Sequence, residues 1–568
     1  MNKKHNISIT YVSIYATIIL LLASCAHIVS PSGGPRDTTP PKPIKCTPAN
    51  YSFQFNKNKI EILFDEFILL KDVKNQMLIS PPLNEIPEIT IKGKTVIIEI
   101  KEKLKENTTY TIFLGNCIVD LTEGNALSTY EYVFTTGNTI DTMSMNGKVV
   151  NAFTQKPEKD FFVMLYDKPD DSLPYKEKPY YLAKTNENGE YTLNNLRNIP
   201  YKIFALKDAN NNFQFDQRIE RIAFADSLVT PHFKPIIKMD STHKDSLQKD
   251  SLKPNQDVFK KLSLSDLRTF QEIDSTQRLL RVEFVKKGQV LFAFRYPVKD
   301  LHITFVDKIK DNRWKMEEWN ATKDTLIYWI LNPGIDSLNM IVNDNNQFSD
   351  TLSLRVKQKT TKASSNTIAK TYPVFNLSPT FDFYKSINFV FPNPMLKHDS
   401  IAVMLIEAKD SINTFAFCTD TIHRKFQIKK ELQQAKDYKL LIKENTLTDI
   451  FGLTNDSLVY YFRTNMIDDL GNFNLNVNIK DTANSYIIQL LTEAEDVFEQ
   501  RFIDKSAKLN FKHLAPGNYL IKAIIDKNRN KRWDTGNYLK RIQPEKVIYY
   551  PNKITIRANW DLEENWDM

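Results

Sequence analysis

The stretch YTLNNLRNIPYKIFALKDANNNFQFD, from Tyr191 to Asp216, decides the fold because the chain contains it twice. It aligns without gaps with LNFKHLAPGNYLIKAIIDKNRNKRWD, from Leu509 to Asp534, at a constant offset of 318 residues. The residues that recur identically are Leu196, Tyr201, Ile203, Ala205, Asp208, Asn210, Asn212 and Asp216, which return as Leu514, Tyr519, Ile521, Ala523, Asp526, Asn528, Asn530 and Asp534. Each copy has short β-branched or aromatic runs separated by turn residues, so a β-strand module is used twice.

A fainter repeat precedes each copy. Leu104, Tyr110, Phe134 and Thr136 recur as Leu432, Tyr438, Phe462 and Thr464 at an offset of 328, while Ile60, Ile62 and Phe64 resemble Ile387, Phe389 and Phe391. Between the two pairs of modules lies a middle section with its own strand signals, such as LLRVEFV at 279–285. The order is therefore module A, module B, a middle section, then A and B again.

Length and composition agree with several domains. A chain of 568 residues exceeds the roughly 250–300 residues that one hydrophobic core serves, and 42% hydrophobic residues suffice for real cores. Short strands at regular spacing, with turn residues between them, are typical of sandwiches or barrels.

The amino terminus has the pattern of a secretory signal. Lys3 and Lys4 precede an apolar run from Ile7 to Ala23, which is short for a spanning helix of about 20 residues. The residues LASC that end at Cys25 resemble a bacterial lipobox, which implies a diacylglycerol on that cysteine. The Pro- and Gly-containing segment 30–43 suits an extended tether.

The residue after the cysteine bears on location. Ala26 is not the aspartate associated with inner-membrane retention, so we expect the outer membrane. Residues 26–30 lack an acidic cluster that resembles a surface-export signal, which favours the periplasmic face. Either face remains open.

Module A resembles the bacterial Ig-like (SbsA-type) module of surface-layer proteins. The resemblance rests on ILFDEFI at 62–68, LKENTTYTI at 104–112, IVDLTEGN at 118–125 and YVFTTG at 132–137. With the tether, it is similar to a family of lipoproteins with N-terminal Ig-like domains. The second copy departs from the pattern, since DEF at 65–67 becomes PNP at 392–394.

Module B resembles the prealbumin-like or carboxypeptidase-regulatory sandwich, through GKVVNAF at 147–153, ENGEYTL at 187–193 and YKIFALKD at 201–208. That resemblance implies rigid spacers and occasional glycan-binding modules. Neither resemblance implies catalysis.

We therefore predict an all-β fold, a tandem array of about five β-sandwich domains after a lipoprotein signal peptide. The predicted segments are 1–24 signal peptide, 25–43 tether, 44–138 Ig-like domain, 142–238 prealbumin-like sandwich, 239–262 charged linker, 263–366 middle β domain, 372–466 second Ig-like domain and 467–568 second prealbumin-like sandwich.

Two loops carry candidate metal ligands. Asp208, Asn210, Asn212 and Asp216 occupy positions 1, 3, 5 and 9 of a calcium-type loop, and Asp526, Asn528, Asn530 and Asp534 repeat that spacing. Phe213 and Lys531 stand where such a loop favours Gly, and Ile219 and Asn537 stand where it favours Glu. Calcium sites and purely structural Asx loops both remain open.

Motifs for other chemistry do not occur in the sequence. The 8 His residues form no HExxH or close pair, and no Walker loop, G-x-S-x-G or G-x-G-x-x-G is present. The net charge of +8 is small for this length and is scattered, which argues against a nucleic-acid partner. We therefore expect a protein that is not an enzyme and has no cofactor, calcium apart.

Three smaller features have alternative interpretations. Cys46 and Cys117 could pair or remain buried thiols, and Trp314, Trp319 and Trp329 could stack on sugars or fill a core. Recurring Asp-Ser and Asp-Thr pairs suit O-glycosylation or plain turns.

The leading functional hypothesis is an envelope lipoprotein anchored to a membrane through Cys25, which serves as a spacer or docking scaffold for an envelope protein or polymer. The alternative is a glycan-binding surface lipoprotein for nutrient capture.

Overall fold

The structure is a computed structural model of the chain. It describes residues 36–128, 130–217, 219–233, 266–274, 276–306, 314–332, 334–344, 348–356, 370–396, 400–407 and 410–568. The predicted signal peptide, Cys25 and the linker at 239–262 lie outside these residues. The described residues are almost entirely strands, loops and turns, and they form two compact units.

The first unit holds sandwiches 1 and 2. Sandwich 1, residues 43–135, contains β1 Pro43–Thr47, β2 Lys59–Phe64, β3 Ile68–Leu70, the short helix α1 Val73–Gln76, β4 Leu78–Ser80, β5 Glu88–Lys92, β6 Thr95–Glu99, β7 Thr109–Phe113, β8 Ile118–Asp120 and β9 Glu131–Thr135. The sheets have the strand orders β1-β2-β6-β5, β4-β7-β9 and β3-β8. On β2, Ile60, Ile62 and Phe64 alternate into the core, as the period of two requires.

Sandwich 2 contains β10 Met143–Asn151, β11 Phe162–Tyr166, α2 Leu173–Lys176, β12 Tyr181–Lys184, β13 Glu190–Leu196, β14 Lys202–Lys207, β15 Arg221–Phe224, β16 His232–Phe233 and β17 Leu267–Gln271. Its main strand order is β12-β11-β14-β15-β17-β10-β13. Strand β17 pairs in parallel with β10 from Leu267 to Thr269.

This pairing puts residues 267–269 in sandwich 2, whereas the predicted boundary placed residues from 263 onward in the middle domain. The strand that follows the predicted linker completes sandwich 2 instead, and the first unit extends to residue 269. The last strand of the chain plays the same part in sandwich 5 (below), so the structural repeat includes this return strand.

The second unit holds sandwiches 3, 4 and 5. Sandwich 3, residues 279–355, contains β18 Leu279–Lys286, β19 Gln289–Phe294, β20 Leu301–Phe305, β21 Lys315–Trp319, β22 Thr325–Ile330, β23 Ser337–Asp344 and β24 Ser349–Arg355. Its sheets are β18-β19-β22-β21 and β20-β23-β24. Their inner faces share a core that includes Phe292, Leu326 and Met340.

Sandwich 4, residues 370–464, contains β25 Lys370–Thr371, β26 Val374–Phe375, β27 Thr380–Phe381, β28 Ile387–Val390, β29 Ser400–Glu407, β30 Asp410–Cys418, β31 Lys425–Ile428, β32 Asp437–Ile442, β33 Thr454–Asn455 and β34 Leu458–Thr464. Eight of these strands have the order β26-β28-β31-β30-β29-β32-β34-β27, and β25 pairs with β33.

Sandwich 5, residues 471–567, follows a 3-10 turn at Ile467–Asp469. It contains β35 Gly471–Asn478, β36 Ser485–Thr492, β37 Val497–Ile503, β38 Ala507–Leu514, β39 Gly517–Asp526, β40 Val547–Tyr549, β41 Ile554–Ile556 and β42 Asp561–Asp567. The sheets are β38-β35-β42 and β37-β36-β39-β40, with β41 on β39. Strand β42 pairs in parallel with β35, as β17 does with β10.

Equivalent hydrogen bonds show that both repeats are structural as well as sequential. The hydroxyl of Tyr201 donates to the carbonyl of Arg197 at 3.0 Å, and that of Tyr519 donates to Ala515 at 3.0 Å. In the A modules, the Tyr110 hydroxyl accepts from the Lys105 backbone N–H at 2.9 Å, and its counterpart Tyr438 accepts from Gln433 at 3.0 Å. Five separate cores, one in each sandwich, confirm the predicted tandem β-sandwich array.

Candidate functional site

The first acidic loop follows β14 and is closed by its own polar side chains. The Asp208 carboxylate accepts hydrogen bonds from the backbone N–H groups of Asn211 and Phe213, both at 2.7 Å. Asn212 donates its amide N–H to Asp216 Oδ2 at 2.7 Å, and Asn210 donates to Asp216 Oδ1 at 3.3 Å. The two asparagines and the second aspartate therefore converge on one point.

The second loop follows β39 and repeats this arrangement. Asp526 Oδ2 accepts from the Lys531 backbone N–H at 2.8 Å. Asn528 and Asn530 both donate to Asp534 Oδ2, at 2.5 and 2.6 Å. The constant spacing of the two loops thus produces the same local geometry in two different sandwiches.

The sixth residue of each loop is not Gly, yet it adopts the left-handed backbone conformation that Gly favours. Phe213 has φ 61° and Lys531 has φ 64°, and both values lie in the left-handed region. The residues two positions earlier, Asn211 and Arg529, share φ 59°. The loop conformation is therefore maintained by the Asx hydrogen bonds in place of glycine.

A buried glutamate closes each loop, and neither glutamate was predicted from the sequence. Glu220 accepts from the Ala209 and Asp216 backbone N–H groups at 3.1 Å each, while Glu545 accepts from Lys527 at 2.8 Å and Asp534 at 3.0 Å. Burial raises the pKa of both carboxyl groups above the usual value of glutamate. Because Glu545 lies at an offset of 325 from Glu220 and not 318, the ungapped repeat could not reveal the pair.

The loops fit a calcium ion in part. The side-chain oxygens of Asn210 and Asn212 accept from the backbone N–H groups of Asn212 and Gln214, at 3.1 and 2.7 Å, so they point away from Asp216 and only the Asp216 carboxylate offers oxygen at the point of convergence. Calcium takes 6–8 oxygens, and Asp208 and Asp526 already use theirs on backbone N–H groups. Calcium at these residues therefore stays a prediction, with water required to complete the ligand set.

One substitution separates the two loops electrostatically. The Arg532 guanidinium lies 3.5 Å from Asp534 Oδ1, whereas Gln214 occupies the equivalent position in the first loop. A cation at Asp534 would face this positive charge, so the first loop is the better calcium candidate.

The structure also places the cysteines and tryptophans that the sequence singled out. Cys46 and Cys117 are free thiols, and Cys46 Sγ lies 3.0 Å from the Tyr130 hydroxyl. Trp314 and Trp329 are buried and unavailable to stack on a sugar. Within the described residues, no group of three or more His, Cys, Asp or Glu side chains could hold a metal, and no helix is long and apolar enough to cross a membrane.

In the second unit, a charged cluster joins sandwiches 3 and 4. Glu318 on β21 accepts from Arg424 Nη1 at 2.7 and 2.5 Å, through its two oxygens, and from the Trp329 indole N–H at 2.9 Å. The Arg424 guanidinium also lies 5.0 Å from the Trp329 ring centre. Only 16% of the arginine side chain and 15% of the glutamate side chain are exposed, so the pair is largely shielded from water.

A second link strengthens this junction. Lys286 of sandwich 3 donates to the Asn393 amide oxygen, and Asn393 donates to buried Asp449 at 2.5 Å. Asn393 is one of the residues by which the second A module departs from the first. The departure from the family pattern therefore coincides with a domain junction.

In the first unit, sandwiches 1 and 2 are joined by polar contacts. The backbone N–H of Leu182 donates to Ser80 Oγ at 3.0 Å, Asn195 donates to Thr111 Oγ1 at 2.9 Å, and Asn194 donates to Glu131 at 3.1 Å. Bonds from one sandwich to side chains of the next resist rotation of the pair.

These features define a class: a tandem β-sandwich protein with tied junctions. Residues 37–136 match the family model described as a bacterial Ig-like domain. No curated protein matches the chain. Among solved structures, it is similar to native alpha-2-macroglobulin from Escherichia coli spanning domains MG0-NIE-MG1, at 12% identity over 44% of this chain and 94% of that one, with a TM-score of 0.18.

Two further solved structures are similar to this chain. BcpA, the major pilin subunit of Bacillus cereus, is 8% identical over 75% of this chain and 99% of that chain, with a TM-score of 0.13. The surface layer protein SbsC, domains 1–6, is 8% identical over 91% of this chain and 67% of that chain, with a TM-score of 0.13.

Proposed function

We propose that this chain is a non-enzymatic lipoprotein of the cell envelope, anchored in the outer membrane by a lipid on Cys25, and that its sandwiches serve as a structural spacer and docking scaffold. The observation that carries the proposal is the construction of the junctions. Neighbouring sandwiches within each unit are tied by hydrogen bonds between side chains and backbone and, at Glu318 and Arg424, by a shielded ion pair.

Such junctions suit a spacer because they hold neighbouring domains at fixed angles. Inter-domain contacts within a chain are by default weak enough to permit relative motion. A shielded ion pair with an indole hydrogen bond holds its geometry better than exposed pairs do, since little water competes for its partners. The support for the lipid anchor is separate and lies in the sequence before residue 36.

The anchor is tested by intact mass and detergent partitioning of the native protein beside a Cys25→Ala variant, both expressed in a diderm bacterium. A Cys418→Ala variant, which removes a half-buried thiol, is the matched control. We expect the wild type and the control to gain a lipid mass and partition into detergent, while Cys25→Ala does neither. Wild-type protein that stays soluble and unmodified would refute the anchor.

Protease treatment of whole cells tests which face of the outer membrane carries the protein. On the periplasmic face, which we propose, the sandwiches are protected until the outer membrane is permeabilised. Cleavage in intact cells would place them on the surface instead.

A further inference from the structure

The outer face of sheet β4-β7-β9 in sandwich 1 is an interface. Val133 points away from the core of its own sandwich, between Tyr132 and Phe134 that point inward, yet it is 0% exposed. Sandwich 2 covers this face, through the contacts of Asn195 with Thr111 and of Leu182 with Ser80. The A module therefore uses this face to pack against another sandwich.

Among the described residues, no other sandwich covers the equivalent face of sandwich 4. At the repeat offset of 328, Val133 corresponds to Tyr461 on β34, which is 71% exposed. Thr111 corresponds to Lys439, and Phe113 corresponds to Leu441. In the second B module, His513 replaces Asn195 and stacks on Tyr384, with ring centres 4.2 Å apart, so sandwich 5 contacts a different part of sandwich 4.

Each of four neighbouring strands places apolar side chains on the open side of sandwich 4. Leu441 pairs with Met404 on one side and with Val459 on the other, and all three side chains point away from the core. On β30, Phe415 and Phe417 are 52% and 45% exposed on the same side of the sheet. We call this surface, on β30, β29, β32 and β34, the open face.

The B module of another copy does not suit the open face. In sandwich 2, Tyr181 and Ala183 of β12 point into the core of their own sandwich, whereas buried Leu182 lies on the opposite face, toward sandwich 1. At the offset of 318, strand β37 presents EQR at 499–501, two of them exposed. Glu499 and Arg501 form an ion pair with each other, and Gln500 stands where the first B module packs the apolar Leu182. Strand β37 therefore offers a polar surface that matches an apolar face poorly.

We propose that the open face packs against the open face of a second copy of this chain, to form a two-fold dimer. Four strands spaced about 4.8 Å apart, each with about 20 Å of length, give about 400 Å² per copy. Two such faces bury about 800 Å² in total, at the low end of the range for specific interfaces, which suits a weak, reversible dimer. Apolar sheet faces pack in this aligned way in sandwiches.

The charges on the open face are compatible with self-packing. Asp437 and Arg463 form an ion pair with a 2.8 Å contact at one end of the face, which leaves Lys439 as the charge nearest the apolar centre. The Asp437–Arg463 pair is neutral within each copy. Lys439 lies beside Tyr461, with its ammonium 5.6 Å from the ring centre, and the stem of a lysine can cover apolar surface while its charge stays in water.

The test is sedimentation equilibrium of the full chain carrying Cys25→Ala, so that a lipid cannot cause association. We expect a reversible dimer, and Tyr461→Arg should weaken it by at least about tenfold, because an arginine buries poorly at the apolar contact. Phe502→Arg on β37 changes an exposed aromatic outside the open face and should leave the dimer unchanged. A chain that stays monomeric up to its solubility limit would overturn the proposal, as would dissociation by Phe502→Arg alone.

A cross-link tests the symmetry. Near a two-fold axis a residue faces its own counterpart, so Leu441→Cys should give a covalent dimer with a short bismaleimide. The chain without this substitution controls for the native thiols. A dimer that cross-links no better than this control would rule out packing through the open face.

Discussion

Removing the charge of Glu318 should destabilise the second unit by about 2–3 kcal/mol. The Glu318→Gln variant keeps the shape of the side chain and an oxygen for the Trp329 indole, but leaves the Arg424 guanidinium largely buried without a counter-charge. Breaking a buried pair costs about 3–5 kcal/mol, and exposure of 15–16% reduces that value somewhat.

The measurement is urea unfolding followed by tryptophan fluorescence. All 6 tryptophans lie in the second unit, at 314, 319, 329, 533, 560 and 566, so the signal reports on that unit. The double variant Glu318→Gln/Arg424→Met should recover at least about 1 kcal/mol relative to the sum of the single variants, because no charge is then left unpaired.

The exposed pair Asp437–Arg463 provides the matched control within the same unit. Its side chains are 76% and 57% exposed, so Asp437→Asn should cost no more than about 1 kcal/mol. If Glu318→Gln shifts the unfolding transition no more than Asp437→Asn does, the ion pair does not stabilise the junction and the argument for fixed domain angles fails.

Three further predictions concern the loops and the backbone. Burial raises the pKa of Glu545 above its unfolded value near 4.5. Its contribution to the free energy of unfolding is therefore complete below pH 4.5 and is lost as pH rises through the folded pKa. Glu545→Gln should remove this pH-dependent contribution when the free energy of unfolding is compared at pH values from about 4 to 7. In calorimetric titration with CaCl2, Asp216→Asn should abolish more binding heat than Asp534→Asn, and equal losses or no heat in the wild type would contradict the preference for the first loop. Gly189→Ala, at φ +72° against the backbone of β10, should lower the melting temperature clearly more than Gly93→Ala, which at φ +65° meets open space.

Local pattern was sufficient to predict the modules. Alternation on β2 puts Ile60, Ile62 and Phe64 in the core, and the repeated Asp and Asn residues form the same closed loop twice. These features depend on residues close together in the chain, where side-chain period and Asx hydrogen bonds act directly. The calcium and lipid assignments remain predictions from that pattern.

Only the tertiary structure decided which distant segments meet. Strand β17 completes sandwich 2 after the predicted linker, because parallel pairing with β10 is set by the open sheet edge and not by sequence distance. Glu220 and Glu545 reach their loops across unequal spacings. An alternating strand alone cannot show whether its outward side chains meet water or a neighbouring domain. Val133 and Tyr461 occupy the same place in the repeat, and one is covered while the other is exposed, because domain packing determines burial of the outer face.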